Sequence, residues 1–386
     1  MTDNFWKDKY PVGVASEINP DEYQNIQAVL KQSCERFADK PAFSNLGKTL
    51  TYGELYKLSG DFAAYLQQNT DLQPGDRIAV QLPNLIQYPI VVFGAMRAGL
   101  IVVNTNPLYT AREMRHQFQD SGARALVYLN TFGNHVQEVL ADTAIEHLIE
   151  VQIGDMLPTL RGALVNAAVK HLKKMVPDYS LPQAVAFKNL LRDGARHSLK
   201  PTPLSLDDIA VLQYTGGTTG VAKGAMLTHG NLVANMQQVR ANMQQLDAQG
   251  HPVIREGQEV MIAPLPLYHI YAFTVNCMCM MVTGNHSVLI TNPRDINGFV
   301  KELQRWQFSA FLGLNTLFVA LMAHPQFKKV DFSRLKGTNS GGTALVSAVA
   351  ERWKSMTGCT VVEGYGLTET SPVVCANPHG EHSRLG

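Results

Sequence analysis

Residues 213–231 gather side chains suited to holding a polyanion: five glycines, four threonines and the single Lys223. Glycines let successive backbone N–H groups turn inward and approach a ligand closely, while hydroxyls and an ammonium add donors and charge. A triphosphate is the ligand such a loop fits. A plain surface turn would need neither Tyr214 before the loop, nor Lys223 within it, nor the apolar run 209–212 leading in. The P-loop of nucleotide triphosphatases requires Gly-x-x-x-x-Gly-Lys-Ser/Thr between a strand and a helix. Here Ala222 precedes Lys223 and Gly224 stands where the hydroxyl belongs, so that motif is excluded.

Two further stretches can do chemistry. Residues 265–269 read Leu-Pro-Leu-Tyr-His and run directly into an uncharged segment. A lone histidine in apolar surroundings is more often a satisfied core residue, so His269 stays open on its chemistry alone. Residues 363–370 read Glu-Gly-Tyr-Gly-Leu-Thr-Glu-Thr. Mg²⁺ prefers one or two carboxylates plus phosphate oxygens, and Glu369 in a Gly/Thr-rich turn can supply one.

Together these motifs resemble the adenylate-forming superfamily, which includes acyl-CoA synthetases, firefly luciferase and peptide-synthetase adenylation domains. Residues 215–224 resemble its phosphate loop. Residues 365–369 match its Tyr-Gly-x-Thr-Glu signature, 150 positions beyond Thr215. Residues 266–269 resemble its Pro-Leu-x-His segment. Residues 340–345, Ser-Gly-Gly-Thr-Ala-Leu, are similar to its adenine-side turn, although Thr343 and Ala344 depart from the usual Ala-Pro. The resemblance covers residues 19–378 and is nearest to bacterial long-chain fatty-acyl-CoA synthetases through Pro11, 17–20, 104–109 and the double glycine of 214–224.

The resemblance implies ATP, Mg²⁺ and coenzyme A as reactants or cofactors, and a long-chain fatty acid as substrate. Thr215, Gly216, Gly217, Thr218, Thr219, Gly220 and Lys223 would hold the triphosphate. Gly341, Gly342, Tyr365 and Gly366 would flank the adenine, Thr368 would reach the α-phosphate, and Glu369 would hold the metal. His269 would orient the carboxylate; with Thr368, Glu369 and Lys223 it makes the catalytic set. Tyr268, His269, Phe273, Gly313, Leu314 and Gly341 would bound the acyl pocket, whose wall is placed along 270–282 with Leu317. A carboxylate is a poor acyl donor until its oxygen joins a phosphate-bearing leaving group, which explains the use of ATP.

Other classes are weighed by composition. The chain has 386 residues, 45% hydrophobic and 17% charged, with net charge +1, so bulk electrostatics gives no reason to expect nucleic acid. Five cysteines in mostly apolar surroundings, without zinc-type spacing and without a secretory leader, indicate a reducing cytoplasm. An amino-acid adenylating enzyme should place an acid near the pocket, yet none occurs between Glu259 and Asp295. Medium-chain or aryl acids as substrates, and a non-catalytic lipid- or nucleotide-binding module, remain as alternatives, and monomer or homodimer is left open.

The elements that must position these groups read as an α/β chain. A helix over 25–38, a strand from Pro41 and a capping box of Thr51 with Glu54 open it. Strand, helix and strand then alternate through 77–81, 84–98, 101–103, 111–121 and 125–128, the rhythm of a mostly parallel sheet under helices. Later strands are expected at 147–153, 209–214, 260–263, 287–290, 310–314 and 361–363. Val260 to Pro293 is uncharged, but Pro264, Pro266, His269, Asn276 and Asn285 interrupt it, which favours buried strands and a buried helix over a membrane span.

By resemblance the fold is the large N-terminal domain of the adenylate-forming enzymes, with two related sheets. One is built from about 74–235, the other from about 19–69 plus 250–369, and the cleft lies where they meet. The family's C-terminal lid domain, with its later ribose-binding Asp and adenylation lysine, is expected to be absent, and the 386-residue chain to be nearly inactive by itself. Residues 160–176 stand apart. On a helical wheel Leu160, Leu164, Val165, Ala168, Val169, Leu172, Met175 and Val176 share one half, while Lys170, Lys173 and Lys174 share the other. An ordinary helix packed on its own sheet is the favoured reading, and peripheral attachment to the inner face of a membrane is its rival.

Overall fold

The structure is a computed structural model in which residues 7–216, 220–247, 249–379 and 383–384 are described. In chain order its strands are β1 (Pro41–Asn45), β2 (Lys48–Thr51), β3 (Arg77–Gln81), β4 (Ile101–Asn104), β5 (Ala123–Leu129), β6 (His147–Val151), β7 (Val185–Ala186) and β8 (Ile209–Thr215), then β9 (Lys223–Thr228), β10 (Val260–Ala263), β11 (His286–Leu289), β12 (Ala310–Gly313), β13 (Gly337–Ser340), β14 (Val361–Gly366) and β15 (Val373–Ala376). The central strands are short apolar runs buried on both faces, as a parallel sheet covered by helices requires.

Two sheets result. The first has the order β7-β6-β5-β3-β4-β8-β9 and is parallel except for the terminal hairpin β8–β9. The second has the order β15-β14-β13-β12-β10-β11-β1-β2, parallel inside and closed at each edge by an antiparallel pair. Phe43 of β1 pairs in register with Ser287 of β11, which draws the opening hairpin into the later part of the chain. The fold expected from the sequence, two mostly parallel sheets with flanking helices, is therefore the one found.

A continuous core joins the sheets. The helices Ile26–Arg36, Tyr52–Asn69 and Gln87–Arg97 bury Ile26, Leu30, Leu55, Phe62, Ile90 and Phe93 against it. The expected capping box is present, with the Thr51 side chain accepting from Glu54 N–H and Glu54 returning to Thr51 N–H. A second core lies under β12, where Phe311, Phe318 and Trp353 pack together and the Trp353 indole donates to Thr338 Oγ1 at 3.1 Å.

The uncharged stretch after Val260 is β10, a buried helical segment over 270–282 and β11. No helix among the described residues is long and apolar enough to cross a membrane. Residues 160–176 differ from the ordinary packed helix expected of them. The α-helix runs Thr159–Ala167, a wider turn follows over Ala168–Leu172, and Lys174 adopts φ 50. Gly162 and Val169 are the buried contacts, whereas Leu160 and Leu172 are 82% and 81% exposed. Gly162 lies against Gly154, leaving no room for a side chain, and Asn166 accepts from Gly154 N–H at 2.7 Å. The helix is thus held by a glycine contact, the Asn166 amide, the buried Val169 and Arg161 donating to Leu46 O at 2.9 Å, with its leucines turned outward.

Candidate active site

The polyanion loop is the tip of the β8–β9 hairpin, whose register sets Lys223 opposite Thr215. Gly217, Thr218 and Thr219 lie outside the described residues. The helix Ala111–Ser121 braces the hairpin at two points. Tyr214 donates its hydroxyl to Asp120 Oδ2 at 2.6 Å, and His116 Nε2 lies 2.8 Å from Ala222 O. Burial and the Asp120 carboxylate both push the Tyr214 phenol up, so it remains a neutral donor.

The segment carrying His269 is fixed by buried amides. Asn84 donates to the carbonyls of Ala263 and Leu265 at 3.0 and 2.9 Å and accepts from Leu267 N–H at 2.8 Å. Tyr88 donates to Asn104, Asn104 to Gln213, and Gln213 to Tyr268 O, at 2.8, 3.0 and 3.1 Å. This chain of donors ties β4 and β8 of the first sheet to the residue beside His269. Tyr268 itself donates its hydroxyl to Asn106 at 3.0 Å.

His269 caps the short helix Ile270–Ala272, its Nδ1 accepting from Tyr271 N–H at 3.4 Å. That places the proton of the neutral ring on Nε2. The side chain is open to the cleft, yet the protein packed around it holds its pKa below the ordinary histidine value by desolvation. A neutral imidazole donor therefore faces the cleft at pH 7.

On the opposite wall, β13 ends at Ser340 and the backbone continues through Gly341 and Gly342, the latter with φ 86. A side chain on Gly341 would meet the Tyr271 ring at 2.9 Å, so glycine there lets the ring approach the backbone closely. β14 then delivers Tyr365 and Gly366 into a tight turn, Thr368–Thr370, closed by Leu367 N–H donating to Pro372 O at 3.0 Å. Tyr365 is 59% exposed and Glu369 is also exposed; among the described residues Glu369 has no ion-pair partner. A free carboxylate beside a phosphate-sized cleft has the chemistry that Mg²⁺ requires of a protein.

These elements enclose a cleft of about 480 Å³. Of the residues singled out in the sequence, Thr215, Gly216, His269, Gly341, Gly342, Tyr365, Gly366, Thr368 and Glu369 line it. Gly220 lies instead on a neighbouring depression with Tyr109 and His116, and Lys223 is exposed at the start of β9. Phe273 is fully buried against Phe93. Gly313 is closed in by the rings of Phe318 and Phe311, at 2.7 and 3.0 Å from where a side chain would begin. Of the acyl-pocket wall expected along 270–282, Ile270 and Tyr271 line the cleft and residues 272–282 are buried. Behind Tyr271, however, a space of about 70 Å³ is lined by Val239, Met243, Val275 and Val362 together with the polar Asn242, Asn339 and Glu363. Sequence reasoning misses Leu367, Pro372 and Val373 as cleft residues, whereas Tyr271 falls within the 270–282 wall expected of the acyl pocket.

The family described as AMP-binding enzyme matches residues 30–386. The chain is 48% identical over 374 residues to a long-chain-fatty-acid–CoA ligase of Escherichia coli O157:H7, covering 97% of this chain and 65% of the relative. It is 46% identical over 378 residues to the enzyme of that name from Haemophilus influenzae, covering 97% and 66%. A solved long-chain-fatty-acid-CoA ligase from Archaeoglobus fulgidus superposes with a TM-score of 0.76 at 20% identity, covering 96% of this chain and 69% of that one, which establishes likeness of fold. The chain thus spans somewhat under two thirds of the length of the curated relatives it matches.

Proposed function

The chain belongs to the AMP-binding enzyme family, and from that premise we propose that the protein activates a long-chain fatty acid with ATP, forming an acyl-adenylate and pyrophosphate, and passes the acyl group to coenzyme A. The observation that carries this is the cleft itself, where a neutral His269, two backbone glycines, an exposed aromatic and a free carboxylate face one another. The relatives named as long-chain-fatty-acid–CoA ligases supply the substrate class.

The chemistry assigned to each side is positioning and charge neutralisation. Tyr365 packs on the adenine and the flat backbone at Gly341 and Gly342 admits its edge. The loop of 215–220 with Lys223 holds the β- and γ-phosphates, and Thr368 reaches the α-phosphate. Glu369 is the residue that would hold Mg²⁺, which when bound neutralises phosphate charge. His269 donates from Nε2 to the oxygen of the incoming carboxylate, orienting the other oxygen for attack on the α-phosphorus. The bond from α-phosphorus to the bridging oxygen breaks, and pyrophosphate leaves with the electron pair. The thiol of coenzyme A then attacks the acyl carbon and AMP departs. The space behind Tyr271 is assigned as the near end of the acyl pocket. The sub-domains 74–235 and 19–69 with 250–369 meet at this cleft.

We also assign the outward face of 160–176 to reversible contact with the inner face of a membrane. The support is charge and exposure: Leu160, Leu164, Leu172 and Met175 stand in solvent beside Lys170, Lys173 and Lys174. The test of the catalytic proposal is exchange of labelled pyrophosphate into ATP by the full-length protein. Exchange that needs both Mg²⁺ and a long-chain acid is the expected result. Exchange driven by amino, short or aryl acids alone redirects the substrate, and none with any acid sinks the proposal.

A further inference from the structure

The turn that carries Thr368 and Glu369 leads into Val373, the first residue of β15 and itself part of the cleft wall. Val373 is held from two sides. It pairs with Gly366 across the β14–β15 hairpin, and a side-chain amide from elsewhere in the chain grips its backbone. Asn235 donates from Nδ2 to Val373 O at 2.8 Å and accepts at Oδ1 from Val373 N–H at 3.1 Å. The second Nδ2 proton goes to Gln238 Oε1 at 3.1 Å, so every polar position of this side chain, 4% exposed, is engaged. Asn235 lies on the helix His229–Met243, which follows directly from β9, the strand that begins at Lys223. One amide therefore connects the element that emerges from the polyanion loop to the strand that emerges from the carboxylate turn.

We propose that Asn235 is a positioning residue for the adenylation reaction: its paired hydrogen bonds to Val373 set the 365–369 turn at a fixed distance from the phosphate-loop hairpin. The inference rests on the function assigned above. A second, weaker anchor is Thr274, fully buried, whose Oγ1 donates to Ser371 O at 3.2 Å. A comparison built into the fold separates positioning from mere stabilisation. Gln245 makes the same two-bond grip on His379, at 2.8 Å in each direction, but beyond the far end of β15.

The test uses the full-length protein with Asn235→Asp, Asn235→Ala, Thr274→Val and Gln245→Ala, each alone and combined with Glu369→Gln. Asn235→Asp keeps the shape and sets an acceptor against Val373 O. Binding of a fluorescent ATP analogue with Mg²⁺, acid-dependent pyrophosphate exchange and melting temperature are measured. Leaving a part-buried backbone pair unpartnered lowers MgATP affinity by on the order of tenfold in the Asn235 variants. The KM for fatty acid stays unchanged, and nothing further is lost in the Glu369→Gln background, since the grip acts through that turn. Thr274→Val shows the same coupling in smaller degree and serves where an Asn235 variant does not fold. Gln245→Ala lowers the melting temperature without moving MgATP affinity. Equal fold-losses in both Glu369 backgrounds, or unaltered MgATP binding, overturn the proposal. Binding with coupling but no exchange in the wild type overturns the assigned function and leaves the grip standing. Exchange without coupling does the reverse, and a wild type that neither binds MgATP nor exchanges removes both.

Discussion

Two glycines separated by one residue in β14 should behave oppositely when replaced by alanine. A Cβ on Gly366 would lie 2.2 Å from Pro372 O, 2.9 Å from its carbonyl carbon and 3.3 Å from Val373 Cα, all backbone. Gly366 has no positive φ, so crowding and not backbone conformation is the obstacle. Relief requires β14 and β15 to separate by roughly 0.8 Å, and forcing atoms into a packed site costs about 1–3 kcal/mol. The Leu367 N–H to Pro372 O bond of 3.0 Å that closes the turn is stretched by the same movement, at a further cost of about 1 kcal/mol. Gly366→Ala should therefore lose about 2–4 kcal/mol in urea unfolding and most of its pyrophosphate exchange. At Gly364 the nearest atom to a new Cβ is 3.8 Å away, so Gly364→Ala should unfold within about 0.5 kcal/mol of wild type. If Gly366→Ala unfolds at the wild-type urea concentration, the crowding assigned to this hairpin is wrong.

Other consequences are as direct. Glu369→Ala, at an exposed position, should keep the wild-type melting temperature and lose Mg²⁺-dependent adenylate formation; near-normal adenylate yield refutes its role. Burial drives His229 and His286 down to about 4, so the unfolded chain takes up protons that the folded chain refuses. Their contribution is full above the unfolded value near 6.5 and is lost as pH falls from there towards 4, by on the order of 3 kcal/mol each. Urea midpoints measured across that window should fall less steeply in His229→Gln and His286→Gln, and an unchanged slope counts against it. Replacing Lys170, Lys173 and Lys174 by Glu should reduce sedimentation with anionic vesicles, and a wild type that never binds them leaves the helix merely structural.

Much of the scaffold was legible because its elements are locally encoded. Ala111–Ser121 begins at a Thr110–Glu113 capping box and ends at Gly122 in the left-handed region, so pattern and punctuation agree. The apolar runs of β3, β8 and β10 announce parallel strands for the same reason. β9 was harder to see, since of Lys223 to Thr228 only Leu227 is buried and the segment gains its strand conformation from pairing with β8. β13, Gly-Thr-Asn-Ser, likewise depends on β12 and β14, which lie well away in the chain, while β15, Val-Val-Cys-Ala, is held by its hairpin pairing with β14. Residues 160–176 show the limit of the wheel: periodicity gave a face, but only tertiary contact decides whether the face turns in.

At the site, the motif residues were visible because their types are chemically distinctive. The residues that hold them, Asn84, Asn104, Gln213 and Asn235, are buried amides scattered across 152 positions. No local pattern marks an amide whose partner is a backbone carbonyl far along the chain. Phe273 and Gly313 illustrate the converse: an apolar stretch beside His269 reads as a pocket, while the fold closes these two in with aromatic rings.

The central claim is that the carboxylate oxygen attacks the α-phosphorus of ATP in this cleft. It is tested most directly by giving the full-length protein ATP, Mg²⁺, coenzyme A and a fatty acid labelled with heavy oxygen in its carboxylate, then weighing the products. One labelled oxygen is expected in the phosphate of AMP and none in pyrophosphate. Label in inorganic phosphate, or unlabelled AMP formed alongside acyl-CoA, would contradict it.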